Sequence, residues 1–235
     1  MRAEGPVKGG RRKPDSIKDA GWTPASSTPV IGIVDYGMGN RRSVEKALEH
    51  VGARAAITND HAELRACDGL VVPGVGAFPR AMRNLRELGL DELVGERLEE
   101  GVPVLGICLG MQVLFDDSVE LGGAAGLGLL PGRVEPLDAG ELKVPHIGWN
   151  LVRFERSSPL TAGLPDECAF YHVHTFAPVP AEPGDVLGRS EYGAPFVSAV
   201  ARDPLFGVQF HPEKSSTHGL RLLENFAAIC ARVAA

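Results

Sequence analysis

Apolar residues gather along this chain in short, nearly continuous runs at residues 30–36, 53–58, 70–73 and 102–107. Runs that are apolar at almost every position, rather than every second one, predict parallel strands covered on both faces. Helical spacing follows the first run, where Val44, Ala47, Leu48 and Val51 recur before Gly52. Two more helical segments are predicted over 78–87 and 91–100. Another is predicted after the fourth run, through Met111, Val113, Leu114 and Phe115. Leu220, Leu223, Phe226, Ala227 and Cys230 mark the inner face of a terminal helix over 216–233.

Between residues 122 and 200 this rhythm breaks. A loop is expected over 122–128. Short strand-like runs follow at 133–137, 151–154, 169–173, 186–190 and 197–202, the pattern of antiparallel strands added to a parallel core. A further apolar strand, 206–210, then leads into His211. The predicted fold is α/β: an open, mostly parallel sheet flanked by helices, with antiparallel strand additions. Pro145 and Gly148 predict an exposed loop around Trp149, and an exposed loop Trp is a candidate interface anchor.

The chain has 235 residues, 44% hydrophobic and 23% charged, which suits one domain with a sizeable core. The first 28 residues differ, with six basic residues against three acidic ones; against the overall charge of −6 the rest of the chain carries −9. Residues 1–29 are read as a disordered basic extension and 30–235 as the domain. The extension has no apolar core of a secretory signal. An acidic body argues against nucleic acid or an anionic membrane as partner, and no run approaches the ~18 apolar residues of a membrane span. The four cysteines form no C-x-x-C pair. A reducing, cytoplasmic setting is expected.

Candidate chemistry centres on Gly106-Ile107-Cys108-Leu109-Gly110. A strand ending in Gly-x-Cys-x-Gly before a helix has the layout of a nucleophile elbow, with Cys in place of Ser. Glycines on both sides remove Cβ atoms that would meet neighbouring backbone, and a helix N-terminus favours thiolate. Near the other end stands His211-Pro212-Glu213, read as projecting together from an extended strand end. Cys108, His211 and Glu213 thus supply a nucleophile, a base and an orienting carboxylate. Pro73-Gly74-Val75-Gly76 has glycines that leave backbone N–H groups free to approach an oxyanion. Gly37-x-Gly39 lacks the third Gly of a dinucleotide fingerprint, since Arg42 stands there, so no cofactor is expected. His172 and His174 alternate on a strand, but no further ligand set accompanies them and no metal is expected.

These motifs together resemble the class I, triad-type glutamine amidotransferases. Asp35-Tyr36-Gly37-Met38-Gly39-Asn40, Pro73-Gly74-Val75-Gly76-Ala77-Phe78, Val144-Pro145-His146-Ile147-Gly148-Trp149-Asn150 and His211-Pro212-Glu213-Lys214-Ser215 resemble the glutaminase subunits of imidazole glycerol phosphate synthase. The likeness spans 30–233. Arg41, His172 and Phe176 depart from the family pattern. The resemblance implies glutamine as substrate and a γ-glutamyl thioester on Cys108. It implies oxyanion and substrate contacts from Gly74, Val75, Gly76, Leu109, Gln112, Thr175 and Phe176. It also implies a (β/α)8-barrel cyclase subunit, joined as a heterodimer through a face that includes Asn40, Trp149 and Lys214. Ammonia would pass to that subunit, which makes imidazole glycerol phosphate and aminoimidazole carboxamide ribotide in histidine biosynthesis. Competing readings are an amidotransferase subunit serving vitamin B6, anthranilate or purine synthesis, a non-catalytic binding module on the same fold, and a cysteine hydrolase of γ-glutamyl peptides.

Overall fold

A computed structural model of the chain describes residues 28–233; the extension expected over 1–29 lies outside the described residues up to position 27. The first half alternates β1 (Val30–Val34), α1 (Arg41–His50), β2 (Arg54–Thr58), α2 (His61–Arg65) and β3 (Gly69–Val72). It continues with α3 (Phe78–Glu87), α4 (Leu90–Glu99), β4 (Val104–Ile107) and the one-turn α5 (Leu109–Gln112). Then come β5 (Phe115–Ser118), β6 (Ala124–Ala125), β7 (Leu130–Pro136), β8 (His146–Phe154), β9 (Glu167–His174) and β10 (Phe176–Pro180). The chain closes with β11 (Val186–Tyr192), β12 (Ala194–Arg202), β13 (Leu205–Val208) and α6 (Ser216–Val233).

A nine-stranded sheet runs β2-β1-β3-β4-β13-β12-β11-β8-β9. From β2 to β13 neighbours are parallel, and from β13 to β9 they are antiparallel. The inner parallel strands β3, β4 and β13 are buried on both faces, as their unbroken apolar runs require. One face packs against α3 and α4 through Phe78, Met82, Leu85 and Leu93. The other packs against α1 and α6 through Val44, Leu48, Leu223 and Phe226. No helix among the described residues is long and apolar enough to cross a membrane.

Three local expectations are corrected. The helix expected through Phe115 stops at Gln112, and Phe115 opens a strand of a second, four-stranded sheet, β10-β7-β5-β6. The carbonyls of Val113, Leu114, Phe115 and Asp116 accept from the N–H groups of Leu127, Leu129, Gly128 and Gly126. The helix closes with the Leu114 N–H on the Met111 carbonyl, three residues back, and the chain continues as sheet. The segment expected as a loop over 122–128 accordingly holds β6, paired to β5. The loop expected around Trp149 is largely β8, paired with β9 from His146↔His174 to Arg153↔Glu167. Its alternation is inverted, with polar or small His146, Gly148 and Asn150 turned inward and Ile147, Trp149 and Leu151 exposed. This hid the first half of the strand from a reading that expects apolar residues inside, while its second half was expected as the run over 151–154. The additional strand β10 carries Pro178 and Pro180, which an edge position tolerates because one row of N–H groups there needs no partner.

A Cβ on Gly126 would lie 2.0 Å from the Phe115 carbonyl oxygen. Gly126→Ala should therefore lower the unfolding free energy by about 1–3 kcal/mol, read from urea denaturation.

Candidate active site

β4 delivers Cys108 to the carboxyl edge of the sheet, where ligands bind in open α/β folds. The residue takes φ 56 and ψ −112, outside the regions a side chain prefers. Such a conformation costs about 1–3 kcal/mol and persists only where packing over-determines it. The packing is visible at the two flanking glycines. A Cβ on Gly106 would lie 2.5 Å from the Gly110 oxygen, and one on Gly110 would lie 1.7 Å from the Val72 oxygen. Backbone thus touches backbone on both sides of the turn. α5 has a single turn, so the dipole support expected for an anionic sulfur is small. As the first residue of that turn, Leu109 has an N–H that the helix itself cannot use.

β13 lies beside β4 with Val208 opposite Ile107, and the Cys108 N–H donates to the Val208 carbonyl at 2.7 Å. The chain leaving β13 therefore passes the elbow. Gln209 donates from Nε2 toward Cys108 Sγ at 3.7 Å, and its Oε1 accepts from Gln112 Nε2 at 3.0 Å. Two residues on, His211 is almost wholly buried, with its N–H on the Tyr171 carbonyl and its own carbonyl accepting from Ser215 Oγ. His211 Nδ1 and Glu213 Oε1 are 2.8 Å apart. His211 keeps the extended backbone expected of it, but Glu213 does not. Pro212–Lys214 forms a 3-10 turn, and that turn folds the carboxylate back onto the ring. Asn40 Nδ2 adds a donor to the same Glu213 oxygen at 3.3 Å.

His211 Nε2 is buried and has no nitrogen or oxygen partner among the described residues. Burial opposes charge on the ring, yet Cys108 and Glu213 outweigh it and push the His211 pKa up to about 9. The neighbouring histidines go the other way. Burial lowers His146, His172 and His174, the last to about 4. At neutral pH one imidazole carries a proton to spare, and it is the one between sulfur and carboxylate.

A cavity of about 270 Å³ opens on the sulfur. Val75, Gly76, Leu109, Gln112, Thr175 and Phe176 line it together with Cys108. Gly74 stands behind this wall, where a Cβ would lie 2.7 Å from Leu109 Cβ. Gln112, expected as an oxyanion or substrate contact, is buried and donates to the Phe176 carbonyl at 2.9 Å, so it also braces the pocket. Glu120 and His174 line the cavity too, and sequence reasoning missed Glu120 and Gln209. Spacing held no signal for either, because β5 and β13 bring them in from separate sheets. Trp149 and Lys214 lie outside the cavity. Trp149 meets Tyr171 edge-to-face at 6.3 Å, and Lys214 Nζ stands 5.9 Å from the same ring. Asn40 is half-buried against Glu213. Among the described residues no group of three or more His, Cys, Asp or Glu is arranged to hold a metal.

Comparison with known proteins adds family to geometry. Residues 32–230 match the family described as Glutamine amidotransferase class-I. The imidazole glycerol phosphate synthase subunit HisH of Moorella thermoacetica is 52% identical over 199 residues, covering 85% of this chain and 94% of that protein. The subunit of the same name from Desulfitobacterium hafniense is 51% identical, over 84% of this chain and 93% of that one. Among solved structures, PurLQS from Thermotoga maritima aligns with a TM-score of 0.69 at 19% identity, over 86% of this chain and 99% of that one. A glutamine amidotransferase from Thermotoga maritima aligns at 0.58 and 17% identity, over 80% of this chain and 77% of that one. These two likenesses speak for the fold alone. Half of all positions shared with the HisH proteins across nearly their whole length speaks for more: the chain belongs to the class I glutamine amidotransferases and, within them, to the family of imidazole glycerol phosphate synthase HisH subunits.

Proposed function

We propose that this chain is the glutaminase half of an imidazole glycerol phosphate synthase, working with a (β/α)8-barrel cyclase subunit in histidine biosynthesis. The observation that carries the reading is the buried imidazole of His211, beside Cys108 on one side and held by Glu213 on the other. That arrangement suits acyl transfer from an amide.

Glutamine enters the cavity with its side-chain amide over Cys108. Glu120 stands at the wall with Oε2 on the Phe78 N–H and offers negative charge to the substrate's α-ammonium group. The sulfur, as thiolate paired with the imidazolium, adds to the amide carbon, and the carbonyl oxygen becomes an oxyanion. Backbone N–H groups of the 74–76 loop and of Leu109 take up that charge. His211 gives its Nε2 proton to the nitrogen, the C–N bond breaks, and ammonia leaves behind a γ-glutamyl thioester. Water then adds to the thioester as His211 takes its proton. The C–S bond breaks, and glutamate and the free sulfur are released. Glu213 fixes the ring and stabilises its cation. His172 and His174, neutral at the same pH, do not compete for the proton.

The ammonia needs an acceptor that this chain does not supply. Ile147, Trp149 and Leu151 form an exposed apolar stripe on β8, continued by Tyr171 and Lys214. A stripe of that kind next to the triad supports docking of the cyclase there. Asn40, whose amide lies on Glu213, would link that face to the catalytic carboxylate.

Cys108→Ala should abolish glutamine-dependent turnover by the complex and spare its ammonia-dependent turnover; persistence of both would remove Cys108 from the mechanism. Because His211 is raised to about 9 and acts as an acid, kcat/KM for glutamine should hold through neutral pH and fall above about pH 9. Glu213→Gln removes one cause of that rise, so the falling limb should move to lower pH, with kcat down by about 10²–10⁴-fold. Trp149→Ala should weaken the association of the two chains by about 2 kcal/mol, roughly thirtyfold in Kd, measured by titration calorimetry.

A further inference from the structure

The loop leaving β1 lies directly against the loop leaving β3. Tyr36, 1% exposed, donates its phenolic hydroxyl to the carbonyl of Pro73. Proline has no N–H, so this carbonyl is the one backbone handle at the root of the 73–76 loop. The contact is close along its length. A Cβ on Gly74 would lie 2.7 Å from the Tyr36 hydroxyl, one on Gly39 would lie 3.3 Å from the Gly74 nitrogen, and one on Gly76 would lie 2.6 Å from Met38 Cε. Tyr36 is itself held from both sides. Asn84 Nδ2 donates to its carbonyl at 2.9 Å, and the Asp35 carboxylate accepts from the Gly37 N–H and from Arg41. Beyond the root the loop emerges, with Val75 exposed at the cavity.

We propose that Tyr36 is a positioning residue for the oxyanion donors: its hydroxyl fixes Pro73 so that the N–H groups of the following peptides keep their aim at the cavity. The inference rests on the glutaminase reading above. Burial, with Cys108 adding to it, raises the phenol's pKa, so the hydroxyl stays a donor at any working pH. In Tyr36→Phe the ring still fills its site, but the Pro73 carbonyl loses its partner and the loop root is free to shift. A donor displaced from a developing oxyanion weakens the transition state more than the bound substrate.

The test uses the full chain of Tyr36→Phe assembled with its cyclase partner. The glutamine kcat should fall roughly tenfold, less than the about 10²–10³-fold lost with a direct donor, while KM stays within about twofold and ammonia-dependent turnover is unchanged. Two probes of the same sulfur separate positioning from general damage. Glutamate γ-semialdehyde accepts the sulfur at its aldehyde carbon, and the oxygen gains the charge or the proton, so its affinity reads the oxyanion donors. Iodoacetamide instead takes the sulfur at its methylene carbon as iodide leaves, with no oxyanion formed. The aldehyde should bind roughly tenfold more weakly to the variant, and the alkylation rate should be unchanged. Wild-type values for kcat and aldehyde affinity would overturn the inference. A parallel fall in alkylation, or a variant that fails to fold, would assign the hydroxyl to general structure and overturn it equally. A wild-type complex that neither hydrolyses glutamine nor binds the aldehyde would overturn the glutaminase reading itself, and the role of Tyr36 with it.

Discussion

Parallel pairing of β4 with β13 is the constraint from which the site follows. It sets Val208 opposite Ile107, so both chains leave the sheet at one level, and the residues they carry next are Cys108 and, two beyond Gln209, His211. Gly207 then lets α5 settle over the paired strands: a Cβ there would lie 2.8 Å from Met111 Cγ. Gly106 and Gly110 do the same for the elbow against itself and against β3. Strain at Cys108 is thus held by contacts between backbones, which yield less readily than side chains.

Burial around the elbow sorts four histidines into two states. His146, His172 and His174 lose their charge to desolvation. His211 is as buried as they are, yet gains charge, because a carboxylate and a sulfur accompany it. The difference is a matter of neighbours rather than residue type. Glu213 in turn owes its place to a 3-10 turn and to Asn40 from the loop after β1. The first and last βα turns of the sheet therefore share one carboxylate.

The second sheet has a supporting part. β10 brings the Phe176 carbonyl to Gln112, and Gln112 reaches Gln209 beneath the sulfur. β5 leads to Glu120 at the cavity wall. On the outside, β8 turns Ile147, Trp149 and Leu151 to solvent while its inner face carries His146. One strand thus joins an exposed apolar stripe to the polar shell of the site.

Much was legible in the chain itself. The unbroken apolar runs announced the parallel strands, helical spacing announced α3 and α6, and Gly-x-Cys-x-Gly announced the elbow, since each is a pattern that neighbouring residues impose on one another. The misreadings share a cause. After Cys108 the chain left the helix for a second sheet, where residues 113–116 pair with the N–H groups of Gly126 to Leu129, and the first half of β8 went unseen because its apolar residues point outward. Spacing alone named Cys108, His211 and Glu213 but placed Glu213 on extended backbone where a 3-10 turn stands. Hydrogen bonds between distant segments decided where Glu120, Gln209 and Tyr36 stand, and a linear pattern carries no record of which distant group an amide or a hydroxyl will find.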